Sequence, residues 1–309
     1  MDSTDRINAL LDEAYSSDDA ETIERLVKKV LDLDEDNPEA LILLSDVTED
    51  FGGKIPMLEH ARRVLEEELQ EYEFPDDECY LDDELGALYV SALVRLAFAY
   101  FSEGRNDEAL ALSRIVAEYD PERETPGKTL LYRLLLEKKE YGKIIEESLK
   151  ELETFPAMLH SLAIATFKLS GAGERAYKAL WSAFAADPDA PFYMLGYLDE
   201  PEEDADDETI ESFNLAMLYE DAWLSPEDTP LANWLASAAI LLGLAASIFP
   251  HEDIDNMLVL ADALGIADHV EDVLIKLESG RDWGGLSDRE RMVSAIKFIS
   301  GGLFIPKEV

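Results

Sequence analysis

The spacing of apolar residues constrains this chain more than any other feature of its sequence. Apolar residues recur at intervals of three and four almost throughout, and short turns of glycine, proline or aspartate separate the runs. Sustained alternation of polar and apolar residues, which is typical of half-buried strands, is nearly absent. The chain has 309 residues, and 47% of them are hydrophobic, which is enough for a sizeable core. The sequence therefore predicts an all-α protein.

The stretch from Val90 to Arg123 shows how the helices are organised. A polar turn with Gly104 separates two helical runs, and Pro121, which cannot continue a helix, follows the second run. Ala97 and Ala109 are small where two antiparallel helices must approach closely. The predicted packing face consists of Leu93, Leu96, Ala97 and Tyr100 from the first helix and Ala109, Ser113 and Val116 from the second. This pattern predicts one helical hairpin.

The hairpin resembles the tetratricopeptide repeat, a helix–turn–helix unit of about 34 residues. Leu93 stands where that family favours tryptophan, Ala97 where it favours glycine, and Ser113 where it favours an aromatic residue. The same frame also fits four further stretches, the first two less closely: Thr4–Asn37, Pro38–Glu71, Thr125–Met158 and Ala157–Ala190. The resemblance implies a right-handed α–α superhelix, in which stacked hairpins share a continuous core.

The frame also predicts the organisation of the whole chain. The expected segments are two weak repeats (1–71), an acidic connector (72–89), three repeats (90–190), an acidic helical extension (191–230) and a C-terminal helical cap (231–309). The segment Pro191–Gly196, PFYMLG, and the helix after it are similar to a bacterial subfamily of these repeat proteins whose function is undefined. Ser287–Glu290, SDRE, predicts a capping box at the start of the last helix.

Charge restricts the classes of partner. The formal net charge is −43, so phosphate backbones and anionic membrane surfaces would be repelled. Ala179 to Ile275 contains no lysine or arginine, and its densest acidic run is Asp199–Glu211. Four explanations remain open: a solvated face, a basic partner, divalent cations, or adaptation to salt. The sequence predicts a protein or peptide partner, with no nucleic acid and no membrane.

The cysteine content and the N-terminus favour a cytoplasmic location. Cys79 is the single cysteine, so neither an internal disulfide nor a thiolate zinc site can form. The first residues lack the basic and apolar regions of a signal peptide. Leu231–Phe249 has no charged residue over 19 positions, but acidic residues flank both ends. We interpret it as a buried central helix, because a membrane span needs about 20 apolar residues and usually basic flanks.

The sequence contains no recognisable catalytic motif. We therefore predict no enzyme, no cofactor and no metal. His60 is expected to face solvent, and His160 to be a core histidine with satisfied hydrogen bonds. His251 and Asp255 share a predicted helix face, but two ligands rarely suffice for a metal. Cys79 has no basic neighbour in sequence to activate its thiol.

Candidate binding residues lie on the opposite side of the first helices, where the resemblance implies a concave groove. The predicted peptide-binding groove consists of Ser91, Val94, Phe98 and Phe101 from the third unit and Thr129, Arg133 and Leu136 from the fourth. An exposed Val94–Phe98–Phe101 stripe would anchor a peptide or helix, unless the acidic connector or a neighbouring subunit covers it. Arg133 stands alone among acidic and neutral groove residues, so a clamp for a terminal carboxylate is not expected.

Three hypotheses follow. The first is an interaction scaffold that binds a partner peptide or helix in an acidic groove with an apolar patch. The alternative is a structural protein that self-associates into a homo-oligomer through the apolar helix 231–249. The third is a metal-dependent enzyme or sensor that uses carboxylates and His251.

Overall fold

A computed structural model describes residues 3–71, 80–202, 204–278 and 284–300. Within these ranges the chain forms sixteen α-helices and no β-strand, which confirms the all-α prediction. The chain divides into two compact units, residues 1–134 and 135–309.

Six helices and most of a seventh make up the first unit. They are α1 (Ser3–Tyr15), α2 (Ala20–Leu31), α3 (Pro38–Asp46), α4 (Phe51–Glu71), α5 (Glu84–Ser102), α6 (Asn106–Tyr119) and α7 (Gly127–Glu137), of which α7 crosses the boundary. Each of α1 to α5 packs against the next helix in the chain. α5 begins at Glu84, inside the predicted connector, and residues 72–79 of that connector, with Cys79, lie outside the described residues.

Capping residues in the sequence explain where several of these helices begin. Asp19 accepts a hydrogen bond from the backbone N–H of Thr22 at 3.0 Å and so caps α2. Asn37 caps α3 in the same way, through the N–H of Ala40 at 2.9 Å, and Pro38 occupies the first turn. These side chains satisfy N–H groups that have no partner within the helix. Local sequence therefore fixes the hairpin boundaries.

The α5–α6 hairpin packs as the small residues predict. Ala97, Ala109 and Ser113 are each at most 1% exposed. Gly104 in the turn has a φ of 71°, a conformation that side chains with a Cβ rarely adopt. The close contact between the two helices thus depends on three small side chains and one glycine turn.

The second unit begins with three more helices of the predicted hairpins and continues into a different arrangement. Its helices are α8 (Tyr141–Ser148), α9 (Pro156–Ser170), α10 (Glu174–Ala186), α11 (Ala190–Met194), α12 (Asp207–Trp223), α13 (Thr229–Ala246), α14 (Ile254–Ala263), α15 (Ala267–Glu278) and α16 (Asp288–Ser300). α8, α9 and α10 pack in chain order, whereas α13 contacts each of α11, α12, α14, α15 and α16. The predicted capping box opens α16: Glu290 accepts from the backbone N–H of Ser287 at 2.8 Å.

α13 is the predicted apolar helix, and the second unit is built around it. Thirteen of its residues are buried. A Cβ on Gly243 would lie 2.2 Å from the ring of Phe249, so this contact requires glycine. Among the described residues, α5 and α13 are long and apolar enough to cross a membrane by length and composition, and 56% and 72% of their apolar windows are buried. Core helices of soluble proteins meet the same criterion.

Candidate functional site

One side of α5, where the sequence predicts a groove, carries the best candidate site in the first unit. Ser91, Phe98 and Phe101 lie on this side and each remains partly exposed. Val94, which was expected beside them, is 8% exposed and is therefore part of the core. The apolar surface available on α5 consists of two phenylalanines rather than a stripe of three residues.

Arg95, which the sequence interpretation left out, organises the polar part of this side. Its Nε and Nη2 donate to the two carboxylate oxygens of Asp46 at 2.7 and 3.0 Å, which joins α5 to α3. Its Nη1 donates to Ser91 Oγ at 2.5 Å. Arg95 lies four residues after Ser91 and three before Phe98, so the helical spacing already indicated its position. A bidentate pair of this kind fixes orientation as well as charge.

A second contact joins α5 to α7. The guanidinium of Arg133 lies over the ring of Phe101, 5.2 Å from its centroid, in a cation–π arrangement. Arg133 is only 2% exposed, while Thr129 on the same helix is partly exposed. Leu136 belongs to the second unit and is 6% exposed. We define the first-helix face as the surface that carries Asp46, Arg95, Phe98, Phe101 and Arg133.

A tyrosine on α1 extends this polar neighbourhood. The pKa of Tyr15 is raised above its ordinary value, first by burial and then by a hydrogen bond with Glu39 of α3. The charges of Asp46 and Arg95 also act on this hydroxyl, in opposite directions. Side chains from α1, α3 and α5 therefore interact within one region. Together they offer hydrogen-bonding groups and two aromatic anchors, which are binding contacts.

His160, in the second unit, is buried as predicted, but its hydrogen bonds are not satisfied as predicted. The side chain is 0% exposed, and neither ring nitrogen has a hydrogen-bond partner within the described part of the chain. Its neighbours on α12 are Tyr219 and Trp223, with ring centroids 6.2 and 6.0 Å away. Burial lowers the pKa of His160 to about 3, so the imidazole is neutral at physiological pH.

The remaining candidate residues do not assemble into a metal site. Across the described ranges, no three or more histidine, cysteine, aspartate or glutamate residues are grouped so that they could hold a metal ion. His251 lies in a turn before α14, not at the start of the helix as expected. His60, expected to face solvent, is partly exposed and contacts Asp36 Oδ1 at 2.7 Å.

No protein-family model matches the chain, and neither a curated protein nor a solved structure does. The helical hairpins and the side-chain contacts described above are therefore the grounds on which a function can be proposed.

Proposed function

We propose that this chain is a protein-interaction scaffold built from tetratricopeptide-like hairpins. In this proposal α1 to α10 form five hairpins that stack as a right-handed superhelix. The first helix of each hairpin then lines a concave groove, and the groove binds an extended peptide or a helix of a partner protein. α11 and α12 belong to an acidic helical extension, and α13 to α16 form the cap that closes the last apolar face.

The contacts of the first-helix face are the observation that carries the proposal. Asp46 on α3 binds Arg95 on α5, and Phe101 on α5 packs against Arg133 on α7. These contacts join alternate helices, although each pair is separated in the chain by an intervening helix. First helices that touch one another in this way are what a stack of hairpins requires. Such a stack presents a continuous surface formed by one helix per repeat.

The chemistry of this surface favours a basic partner with an apolar side chain. Phe98 and Phe101 provide aromatic surface, since aromatic side chains supply much of the affinity at protein interfaces. Asp46 is paired with Arg95, so the negative charge comes from the exposed Asp12 of α1 and from the chain as a whole, which carries −43. Electrostatic complementarity would accelerate association with a basic segment and exclude acidic ones.

A substitution at Phe98 tests this function. We expect Phe98→Glu to reduce the recovery of partner proteins from a cell extract by about tenfold or more, because it places a charge in the apolar anchor. Phe51→Glu is the matched control, since Phe51 is 43% exposed on α4 and lies outside the first-helix face. Recovery would be measured by quantitative mass spectrometry on immobilised protein, with circular dichroism to verify folding. Equal recovery on the two folded variants would refute the proposed groove.

A further inference from the structure

α12 has a second apolar stripe that the fold does not use. One side of the helix is buried through Ser212, Leu215, Ala216, Tyr219 and Trp223. Ile210 and Met217 lie seven residues apart on a different side, where they are 38% and 44% exposed, and Leu224, the residue that caps the helix, follows after another seven. A helix that packs on one side needs one apolar stripe, so the second stripe calls for another explanation.

A cleft of about 500 Å³ lies along the C-terminal half of this second stripe. Met217, Leu224 and Pro226 give it apolar walls, and the carboxylates of Glu137, Glu220 and Asp221 also line it. This volume is within the range of roughly 300–1,000 Å³ that is usual for ligand clefts, and it accommodates several side chains. The cleft thus combines an apolar surface with negative charge.

Charge complementarity defines what can occupy this cleft. None of its lining residues is a lysine or arginine, and Ala179–Ile275 contains neither. A second copy of the chain would bring further carboxylates to the same place and would be repelled, as would a phosphate backbone. Lysine and arginine suit the cleft, because their aliphatic stems pack on apolar surface while their charged ends meet carboxylates.

We propose that this cleft is a docking site for a basic amphipathic segment of a partner protein. An apolar side chain of the segment packs on Met217 and Leu224, and a lysine or arginine side chain pairs with the exposed Glu220. The site belongs entirely to the second unit and shares no residue with the first-helix face. The docking site and the groove proposed above can therefore be tested separately, and the failure of one does not contradict the other.

Methionine methyl groups provide a direct test. Met217 is 44% exposed, whereas Met158, Met194, Met257 and Met292 are at most 8% exposed, so its ¹³C-methyl NMR signal reports on the cleft. The probe is a synthetic leucine–lysine peptide of about 18 residues with an amphipathic helical pattern, added at about 0.15 M salt, where charges more than roughly 8 Å apart are screened. We expect saturable shifts of the Met217 signal, which is assigned with Met217→Leu. A scrambled peptide of the same composition should produce much weaker shifts.

Two glutamates on α12 provide a matched pair of variants. Glu220 lines the cleft, Glu211 does not, and both are exposed, so each Glu→Lys change alters the net charge equally. We expect Glu220→Lys to weaken peptide affinity by about tenfold and Glu211→Lys by less than about twofold. The docking site is ruled out if the two variants lose affinity equally, or if spermine or the scrambled peptide shifts Met217 as strongly as the amphipathic peptide. Peptide binding that leaves the Met217 signal unchanged would also rule out the docking site.

Discussion

Two Asp–Pro corners end helices in the two units, and they differ in what they hold. Asp120–Pro121 follows α6, and Asp187–Pro188 follows α10. Both carboxylates are buried and each accepts three hydrogen bonds. At the first corner all the donors are local: the N–H of Glu124 and both the N–H and hydroxyl of Thr125, at 2.6 to 2.8 Å. That corner simply leads the chain to its next helix.

The second corner also binds a distant helix. Asp187 Oδ1 accepts from the N–H groups of Asp189 and Ala190 at 3.2 Å, and from Ser212 Oγ of α12 at 2.9 Å. The same side of α12 continues to Tyr219, whose hydroxyl donates to the backbone oxygen of Ala157 at 3.1 Å. One dipeptide stops a helix in both places. The same dipeptide therefore either bonds only to its neighbours in the chain or also joins a distant helix, depending on whether a donor from that helix reaches the carboxylate.

The largest expected effect concerns the buried histidine between α9 and α12. His160 has a pKa of about 3 in the folded protein, against an ordinary value near 6.5 in the unfolded chain. Between these values the unfolded chain binds a proton that the folded chain excludes, so His160 lowers stability as pH falls below about 6.5. When the pH falls from 8 to 5, we expect the parent protein to lose about 2 kcal/mol more unfolding free energy than the His160→Leu variant loses.

Urea unfolding at both pH values would measure this difference. His251→Gln is the control, because His251 is exposed and precedes α14, so its stability should follow the parent protein. Parallel losses in the parent protein and in His160→Leu would show that the buried imidazole does not titrate as its environment indicates.

A smaller effect separates the two corners themselves. Asp120 accepts hydrogen bonds through both carboxylate oxygens, so Asp120→Asn places an amide NH₂ against a donor. We expect a loss of about 1.5 kcal/mol in unfolding free energy. At Asp187 the three donors all meet Oδ1, so Asp187→Asn keeps the acceptor and should cost less than about 1 kcal/mol. Thermal unfolding of the two variants makes the comparison. A larger loss at Asp187 would contradict this assignment of the acceptors.

The smallest effect concerns an ion pair next to the second corner. Arg289 of α16 contacts Asp189 and also Glu208, the latter at 2.8 Å. Burial raises the pKa of Asp189, and the Arg289 charge partly offsets that rise. Since these side chains retain solvent contact, we expect Arg289→Gln to cost about 0.5–1 kcal/mol and less at high salt.

Arg291→Gln is the reference for this variant, because Arg291 pairs with Asp288 inside α16. Chemical denaturation at low and high salt would compare the two. If both substitutions lower the unfolding free energy equally, the contacts of Arg289 with Asp189 and Glu208 stabilise the fold no more than the pair of Arg291 and Asp288 within α16.

The sequence anticipated the packing residues of the α5–α6 hairpin better than the surroundings of the predicted groove side of α5. Ala97, Ala109 and Ser113 are buried as their spacing predicts, because neighbours in the chain decide their contacts. Phe98 and Phe101 remain partly exposed, as a groove requires. The missed features depend on other elements: Val94 is covered, Arg95 pairs with Asp46, and His160 is buried without a hydrogen-bond partner among the described residues. Helical spacing indicates on which side of its helix a side chain lies, but not which residues of other helices it contacts.

The amino-acid sequence by itself determined that the protein is all-α and that its charge is strongly negative. Apolar periodicity, capping residues and Asp–Pro stops act over a few residues, so they can be read locally. Only the tertiary structure decided which helices pack around α13 and which residues line the cleft beside α12. Those features arise from packing between residues far apart in the chain, which no local pattern encodes.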